Sequence, residues 1–244
     1  MNYKIIQHLN IFTCIIAIFL VYPETCTAQG LPISKYGVAF INNIEIYNKT
    51  ITNDSLKRMT DLQASIPNII LDLRYATNNN FMKRNMYPKK TKHSFMRLQA
   101  VSALSQVQKE LNDMGYGLKI FDAYRPYSVT EKFWELVHDD RYVADPSKGS
   151  GHNRGIAVDL TIVDLRTKKE ITMPTGFDNF SDSAHHDFMA LSNEALKNRK
   201  LLKDIMEKHG FVTMQTEWWH YSLPNAEKFE VLDLSFEDLG HELH

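Results

Sequence analysis

The sequence predicts an α+β domain in which a small, mainly antiparallel sheet is flanked by helices. Residues 95–114 have the three-and-four spacing of apolar side chains that is typical of amphipathic helices, and a second helix is predicted over residues 193–209. Residues 118–124 and 156–162 alternate between the two faces of a strand, and residues 211–223 form a final strand region. Strands separated by helices favour this fold class, and 244 residues are enough for one well-filled core.

The first long helix has one continuous apolar face, whose members are Leu98, Val101, Leu104, Val107, Leu111 and Met114. Gly115 is placed to end this helix, because glycine accepts the left-handed backbone that follows a last helical turn. A shorter helix is predicted over residues 130–138, and Gly210 ends the second long helix. Near the amino end, residues 38–46 are predicted to be a strand within an extension or edge element.

Two charged side chains are predicted to be held at strands. In residues 156–162 the apolar side chains share one face, so Asp159 points to the opposite face. Pro126 restricts the residue before it to extended conformations. We therefore expect Arg125 at a strand end with its guanidinium presented.

The first 28 residues have the layout of a secretory signal peptide. An apolar run over residues 11–22 is followed by a small-residue sequence that ends at Ala28, where we expect cleavage. The run is short of the roughly 20 residues that span a bilayer, so we expect export, to the periplasm, and no stable membrane association after cleavage. Lipid attachment at Cys26 is the alternative, although the positions before Cys26 lack the apolar residue of such signals.

Charge and cysteine content narrow the class of partner. The formal net charge is -1 and does not change on cleavage, since the removed segment contains Lys4 and Glu24. A near-neutral balance argues against nucleic acid or an anionic membrane as partner. Cys14 and Cys26 both lie in the removed segment, so no disulfide is expected in the mature protein.

Three side chains have the types and contexts of zinc ligands. His152 and Asp159 belong to one glycine-containing run, and His220 comes from a distant segment. Two nitrogens and one carboxylate oxygen leave a tetrahedral zinc ion one coordination position short, and a position open to water distinguishes a hydrolytic site from a structural one. The sequence therefore predicts a metallohydrolase with one Zn(II) per chain.

Glu217, three residues before His220, is the candidate general base and acid. Zinc lowers the pKa of a bound water from about 15.7 to about 7, and a nearby carboxylate can pass that proton to a leaving amine. An offset of three places two side chains on opposite faces of a flat strand, so we predict a bend, bulge or tight turn at Trp218 and Trp219. Arg125 is the candidate for charge stabilisation, since its planar fork of donors suits a carboxylate or an oxyanion.

Other interpretations stay open at this point. A single histidine or aspartate more often bonds to a nearby backbone group than to a metal, and Trp218 and Trp219 are expected in the core rather than in a substrate platform. The pair His185 and His186 lies near an acidic cluster and is a rival metal site. The remaining histidines are expected to be surface or structural residues.

Five ordered segments make the chain similar to the zinc D-alanyl-D-alanine dipeptidases of the VanX type, from residue 61 to residue 239. The segments are residues 72–81, 121–126, 150–159, 175–178 and 217–220. The resemblance implies the small α+β domain shared by zinc D,D-peptidases and the hedgehog signalling domain. It also implies hydrolysis of the free dipeptide D-Ala-D-Ala to two D-alanines.

The resemblance implies a role for each candidate residue. It makes His152, Asp159 and His220 the zinc ligands and Glu217 the general base and acid, while Arg125 steadies the tetrahedral intermediate.

The substrate of such an enzyme has a free ammonium as well as a carboxylate. Ser150 and Asp178 resemble the family's substrate-contacting positions. The predicted organisation is a signal peptide over residues 1–28, an extension over residues 29–60 and the catalytic domain over residues 61–244.

Two rival functions use the same ligands. A zinc D,D-carboxypeptidase or endopeptidase would act on longer wall peptides, and a zinc-binding module without catalysis would need neither Glu217 nor Arg125. Resistance enzymes of the family work in the cytoplasm, whereas this chain has an export signal. We therefore expect salvage of D-alanine from cell-wall fragments.

Overall fold

The computed structural model describes residues 30–89 and 91–241. Within them the helices are α1 (Ile44–Asn53), α2 (Leu62–Ser65), α3 (Leu98–Asp113), α4 (Tyr127–Val137), α5 (Asn193–Lys208) and α6 (Phe236–His241). The strands are β1 (Phe40–Ile41), β2 (Met59–Asp61), β3 (Ile70–Leu71), β4 (Phe95–Arg97), β5 (Tyr116–Asp122), β6 (Ala157–Asp164), β7 (Val212–Met214), β8 (Glu217–Ser222) and β9 (Val231–Leu232). The predicted signal peptide and both cysteines lie outside the described residues.

A five-stranded sheet with the order β3-β5-β6-β8-β7 forms the centre of the fold. Only its β3–β5 pair is parallel, and the other three pairs are antiparallel. Helices α3 and α5 contact each other and the sheet, and they share with it the largest cluster of buried apolar side chains. The predicted α+β class with a mainly antiparallel sheet is confirmed. In the described part of the chain, every helix is too short or too polar to cross a membrane.

Helix α3 begins three residues later than its apolar pattern predicted. Residues 95–97 form the buried strand β4, which pairs with β2, so side chains that fit a helical period are used in a strand. At the other end, Met114 is 48% exposed and does not complete the apolar face, because the helix has already ended at Asp113. Gly115 follows in the left-handed region, as predicted.

The other predicted boundaries differ by smaller amounts. Helix α4 begins at Tyr127 and not at residue 130, since the fixed backbone angle of Pro126 suits the start of a helix. The final strand region is a hairpin of β7 and β8 rather than one strand. Helix α5 ends at Lys208, one residue before the predicted end, and Gly210 follows in the left-handed region.

The predicted strand over residues 38–46 is correct only at its centre. Phe40–Ile41 is a strand that pairs in parallel with β9. The Asn43 side chain then accepts hydrogen bonds from the backbone N–H groups of Glu45 and Ile46 and starts α1. The apolar spacing in this segment fits both a strand and the buried face of a short helix, and the capping side chain decides between them.

Two smaller apolar clusters lie beside the main core. The terminal cluster joins both ends of the described chain to the middle and contains Ile41, Tyr47, Ile51, Met59, Phe95, Tyr124, Leu232, Leu234 and Leu239. The aromatic cluster contains Tyr75, Met86, Tyr87, Phe133 and Val143. Arg125 follows Tyr124 in the chain and stacks on rings of the aromatic cluster, so its position depends on both clusters.

Candidate metal centre and active site

A row of side chains across the central sheet brings two predicted ligands side by side. Asp159 on β6 and His220 on β8 are register partners in an antiparallel ladder, so both side chains project from the same face. On the other side of β6, Asp122 at the end of β5 is also a register partner of Asp159. The row therefore runs over three adjacent strands.

His152 reaches this row from the loop before β6. Gly151 lets the loop pass close to the strand, because a Cβ on it would lie 2.8 Å from the Cβ of Ala157. The backbone N–H of Arg125 donates to the carbonyl of His152 at 3.2 Å. The Nδ1 of His152 lies 2.7 Å from the carbonyl oxygen of Ala123, which can only accept, so Nδ1 holds the proton and Nε2 is free to bind a metal.

The three predicted ligands converge at distances that suit a small divalent cation. The Nε2 of His152 lies 3.3 Å from the Nδ1 of His220 and 3.5 Å from the Oδ2 of Asp159. Metal–ligand bonds of about 2.0–2.1 Å give a tetrahedral edge of about 3.3 Å, so these two distances fit zinc. The third pair, the Nδ1 of His220 and the Oδ1 of Asp159, is at 2.8 Å, a hydrogen-bond distance. All three ligand atoms lie within 4.8 Å of one another.

Electrostatics favour an ionised carboxylate in this trio. Burial alone would raise the pKa of Asp159, but attraction to His152 and His220 outweighs burial and holds the pKa well below its ordinary value. An ionised carboxylate is the form in which aspartate binds a divalent metal. The donor set therefore fits the predicted ion.

The irregularity predicted between Glu217 and His220 is confirmed. The pairing of β7 with β8 is irregular. Thr213 pairs with Tyr221, but the next residue, Met214, pairs with Glu217, which lies four residues before Tyr221 on β8. Trp218 and Trp219 lie within this bulge and are each only 1% exposed. The two tryptophans are therefore core residues, and they accommodate the offset between the two polar side chains.

The surroundings of Glu217 give it a proton affinity near neutrality. Burial raises the pKa of its carboxyl to about 7. The positive field of His220 opposes this rise, and the negative charges of Asp159 and Asp178 add to it. Glu217 is thus suited to both accepting and donating a proton near neutral pH.

Arg125 is a buried cation held in one orientation. Its Nε and Nη2 donate to the Oδ2 of Asp122 at 3.0 and 2.7 Å. The guanidinium carbon lies 5.2 Å from the ring centroid of Tyr75 and 5.0 Å from that of Phe133. Burial acts against the charge, yet Asp122 raises the pKa of Arg125 well above its ordinary value. Its Nη1 takes no part in these two bonds to Asp122.

Asp178 has an unusual backbone and an unusual carboxyl. Its φ of 61° lies in the left-handed region, which residues other than glycine seldom adopt outside turns and functional sites. The hydroxyl of Tyr75 donates to Oδ1 at 2.9 Å, and the backbone N–H of Phe81 lies 3.5 Å from Oδ2. Burial raises the pKa of Asp178 to about 7, although the hydrogen bond from Tyr75 opposes the rise.

Ser150 lies in the turn that presents His152. Its hydroxyl oxygen accepts from the backbone N–H of Asn153 at 3.2 Å, which leaves the hydroxyl proton available as a donor. The rival pair, His185 and His186, joins no group of three or more ligand side chains in the described part of the chain. His186 is a buried side chain, and its two ring nitrogens have no hydrogen-bond partner there.

Three residues of this site received no role from the sequence. Asp122 and Tyr75 belong to the segments that carry the resemblance, and Tyr87 follows one of them. Their contacts with Arg125 and Asp178 depend on a strand bulge and on loop packing. The five family-like segments indicate that these residues lie near the site, but the sequence does not show which of their side chains are in contact.

Three converging side chains that could hold a metal ion, with a buried carboxyl near them, are an arrangement typical of metallopeptidases. Residues 55–239 match the family model described as D-ala-D-ala dipeptidase. The chain is 33% identical over 174 residues to the D-alanyl-D-alanine dipeptidase of Escherichia coli, covering 71% of this chain and 89% of the relative. The protein belongs to this family of metallopeptidases.

Further similarities are more distant. The chain is 31% identical over 170 residues to the D-alanyl-D-alanine dipeptidase of Enterococcus faecalis, covering 62% of this chain and 84% of that protein. A solved structure of VanYB in complex with D-Alanine-D-Alanine aligns with 57% of this chain and 76% of its own, at 13% identity and a TM-score of 0.37. That structural likeness is too distant to inform the site.

Proposed function

We propose that this protein hydrolyses the free dipeptide D-Ala-D-Ala to two molecules of D-alanine, with one Zn(II) bound by His152, Asp159 and His220. The observation that carries the proposal is the convergence of this trio with a fixed cation and a buried carboxyl. The cation is Arg125, whose partner Asp122 lies 3.7 Å from His152. The carboxyl is Asp178, which accepts a hydrogen bond from Tyr75, the residue whose ring lies against the Arg125 guanidinium. The names of the two relatives support the choice of substrate.

When bound, zinc supplies a Lewis acid that polarises a carbonyl and lowers the pKa of a water molecule to about 7. Glu217 accepts a proton from the attacking water and donates it to the leaving amine. Its pKa of about 7 suits this exchange, because both protonation states are populated near neutral pH. Arg125 keeps a permanent positive charge beside the reacting carbonyl, and we assign its Nη1, which does not bond to Asp122, to the developing oxyanion.

The substrate's two termini require groups of opposite character. We assign the ammonium to Asp178, whose carboxyl is oriented by the hydroxyl of Tyr75. Ser150, with its free hydroxyl proton, is assigned a second substrate contact. A site that binds a free ammonium discriminates against peptides whose amino end is extended, because the carboxylate would be left buried without a partner.

Two substrates test this proposal against its rivals. Release of D-alanine is measured from D-Ala-D-Ala and from a wall pentapeptide that ends in D-Ala-D-Ala. We expect hydrolysis of the dipeptide and none of the pentapeptide. The reverse pattern indicates a D,D-carboxypeptidase, and a zinc-loaded protein that cleaves neither peptide indicates a non-catalytic zinc module.

Glu217→Ala tests the assigned general base. We expect it to retain one zinc per chain while turnover falls by about 10²–10⁴-fold, the usual size of a general acid–base contribution. Zinc content by atomic absorption and kcat on D-Ala-D-Ala provide the two readouts. Loss of zinc in this variant would show that Glu217 is a ligand instead.

We also propose that residues 1–28 direct export and are removed, that residues 29–60 form an extension, and that residues 61–244 form the catalytic domain. The support is the short apolar run and the small-residue sequence that ends at Ala28. An exported enzyme would salvage D-alanine from wall fragments in the periplasm. Recovery of the mature protein in the cytosolic fraction would contradict this placement.

A further inference from the structure

Asp122 is a buried carboxylate that joins separate parts of the site. It is 0% exposed. Its Oδ2 accepts both hydrogen bonds from Arg125, and its Oδ1 accepts from the hydroxyl of Tyr87 and from the backbone N–H of Ala123 at 3.0 Å. These four donors use the full hydrogen-bonding capacity of the carboxylate, so it is buried without an unsatisfied oxygen.

A bulge in β5 is the reason that this side chain faces the metal centre. Lys119 and Ile120 pair regularly with β6, and regular pairing would then place Phe121 opposite Asp159. The register shifts after Ile120, so that Asp122 takes that place instead. Because β5 has one extra residue at this point, the carboxylate of Asp122, and not the ring of Phe121, lies on the same face of the sheet as Asp159.

The same carboxylate also acts on the metal ligand His152 through one backbone link. Ala123 donates its N–H to Asp122, and its carbonyl accepts from the Nδ1 of His152. The Oδ2 of Asp122 itself lies 3.7 Å from that Nδ1. Asp122 therefore fixes both the direction of the Arg125 guanidinium and the backbone group that orients an imidazole ligand.

We infer that Asp122 is a positioning residue of the reaction, which holds Arg125 in the orientation that stabilises the transition state. This inference rests on the proposed function. A buried ion pair that served only stability could be replaced by apolar residues of similar volume. Here one partner is the cation that we place beside the reacting carbonyl, and Asp122 fixes its orientation through Nε and Nη2, so that Nη1 is not used in the ion pair.

Asp122→Asn keeps the shape of the side chain and removes its charge. We expect kcat on D-Ala-D-Ala to fall by about 10–100-fold, the effect of misplacing a catalytic group by about 1 Å, while KM changes by less than about threefold. Zinc content should stay at one per chain. The matched control is Asp139→Asn, which removes the carboxylate of a surface ion pair with Arg141 and should leave kcat unchanged.

A double-mutant cycle separates positioning from general stability. If Asp122 acts through Arg125, then Asp122→Asn should lower kcat by less than about twofold in an Arg125→Ala background. Equal fold-losses in both backgrounds would overturn the inference. Tyr87→Phe removes one hydrogen bond to Asp122 and should lower kcat several-fold in the native background but not in the Arg125→Ala background. If Asp122→Asn does not fold, this second variant tests the positioning role of Asp122.

The two proposals fail in different ways. If the zinc-loaded native protein does not cleave D-Ala-D-Ala, the proposed function is wrong. If it cleaves the dipeptide but Asp122→Asn and Tyr87→Phe retain native kcat, only the positioning role is wrong.

Discussion

Glu217 and Asp178 show how similar residues in one site can be suited to different tasks. Burial raises the pKa of each carboxyl to about 7. Glu217 lies in the bulge beside a metal ligand, where a labile proton is useful. Asp178 lies on a left-handed turn with its carboxyl bonded to Tyr75, where a fixed acceptor for a cation is useful. The two proposed roles, proton transfer for Glu217 and ammonium binding for Asp178, therefore follow from the positions of the carboxyls and not from their residue types.

If Asp178 binds the substrate ammonium as proposed, its carboxyl should make KM depend on pH. Below its pKa of about 7 the group is neutral and loses its attraction for an ammonium, so KM should rise about tenfold for each pH unit below 7. Asp178→Asn should have a raised KM that no longer varies with pH between 5 and 8. Steady-state KM values across that range provide the test, and a native KM that is flat with pH would contradict the assignment.

Arg125→Ala should affect turnover more than binding. The guanidinium is fixed before substrate arrives, so we expect it to interact most strongly with charge that develops in the transition state. The fall in kcat should therefore exceed the rise in KM. A raised KM with an unchanged kcat would make Arg125 a substrate anchor only.

At the scale of elements, regular patterns were predicted well and their ends less well. The apolar faces of α3 and β6 are set by side-chain period, and both appear in the structure. The start of α3 was misplaced because residues 95–97 satisfy a strand pairing that no local pattern shows. Similarly, Asp122 was missed because alternation along β5 places Phe121, and not Asp122, on the face of Asp159 unless a bulge intervenes.

The segment of residues 31–54 lies outside the family match but belongs to the same compact unit as the matched residues. Its strand β1 pairs with β9, and Ile41 belongs to the terminal cluster that contains Tyr124. Phe40 stacks on Tyr127 with ring centroids 5.5 Å apart. This segment therefore packs against Tyr124 and Tyr127, which lie on either side of Arg125 in the chain.

Ile41→Ala should destabilise the protein substantially. Ile41 is 1% exposed, and truncating such a side chain costs about 2–5 kcal/mol through lost burial and the cavity that remains. The free energy of unfolding in urea measures the loss. Ile33→Ala is the matched control, because Ile33 is 70% exposed and should change stability by less than about 0.5 kcal/mol. Similar losses for both variants would contradict this role for the segment.

For the whole molecule, the proposed zinc site joins segments that are distant in the chain. His152 lies in a loop, while Asp159 and His220 lie on two strands, and the unfolded chain does not hold them together. Zinc should therefore stabilise the folded state, by about 2.7 kcal/mol at a free concentration 100 times its dissociation constant. The prediction is that a chelator lowers the Tm of the native protein and that His220→Ala, which should not bind zinc, has the same Tm with and without chelator. If the chelator left the Tm of the native protein unchanged, that result would contradict a zinc site formed by His152, Asp159 and His220.

Two of the chain's three tryptophans, Trp218 and Trp219, directly precede His220 and are buried in the core. Indole emission is sensitive to nearby charge, and a divalent ion on the adjacent imidazole would change the field at both rings. The fluorescence of Trp218 and Trp219 is therefore expected to change when a metal ion binds. The protein's intrinsic fluorescence offers a label-free way to follow ion uptake, independently of any assay of product formation.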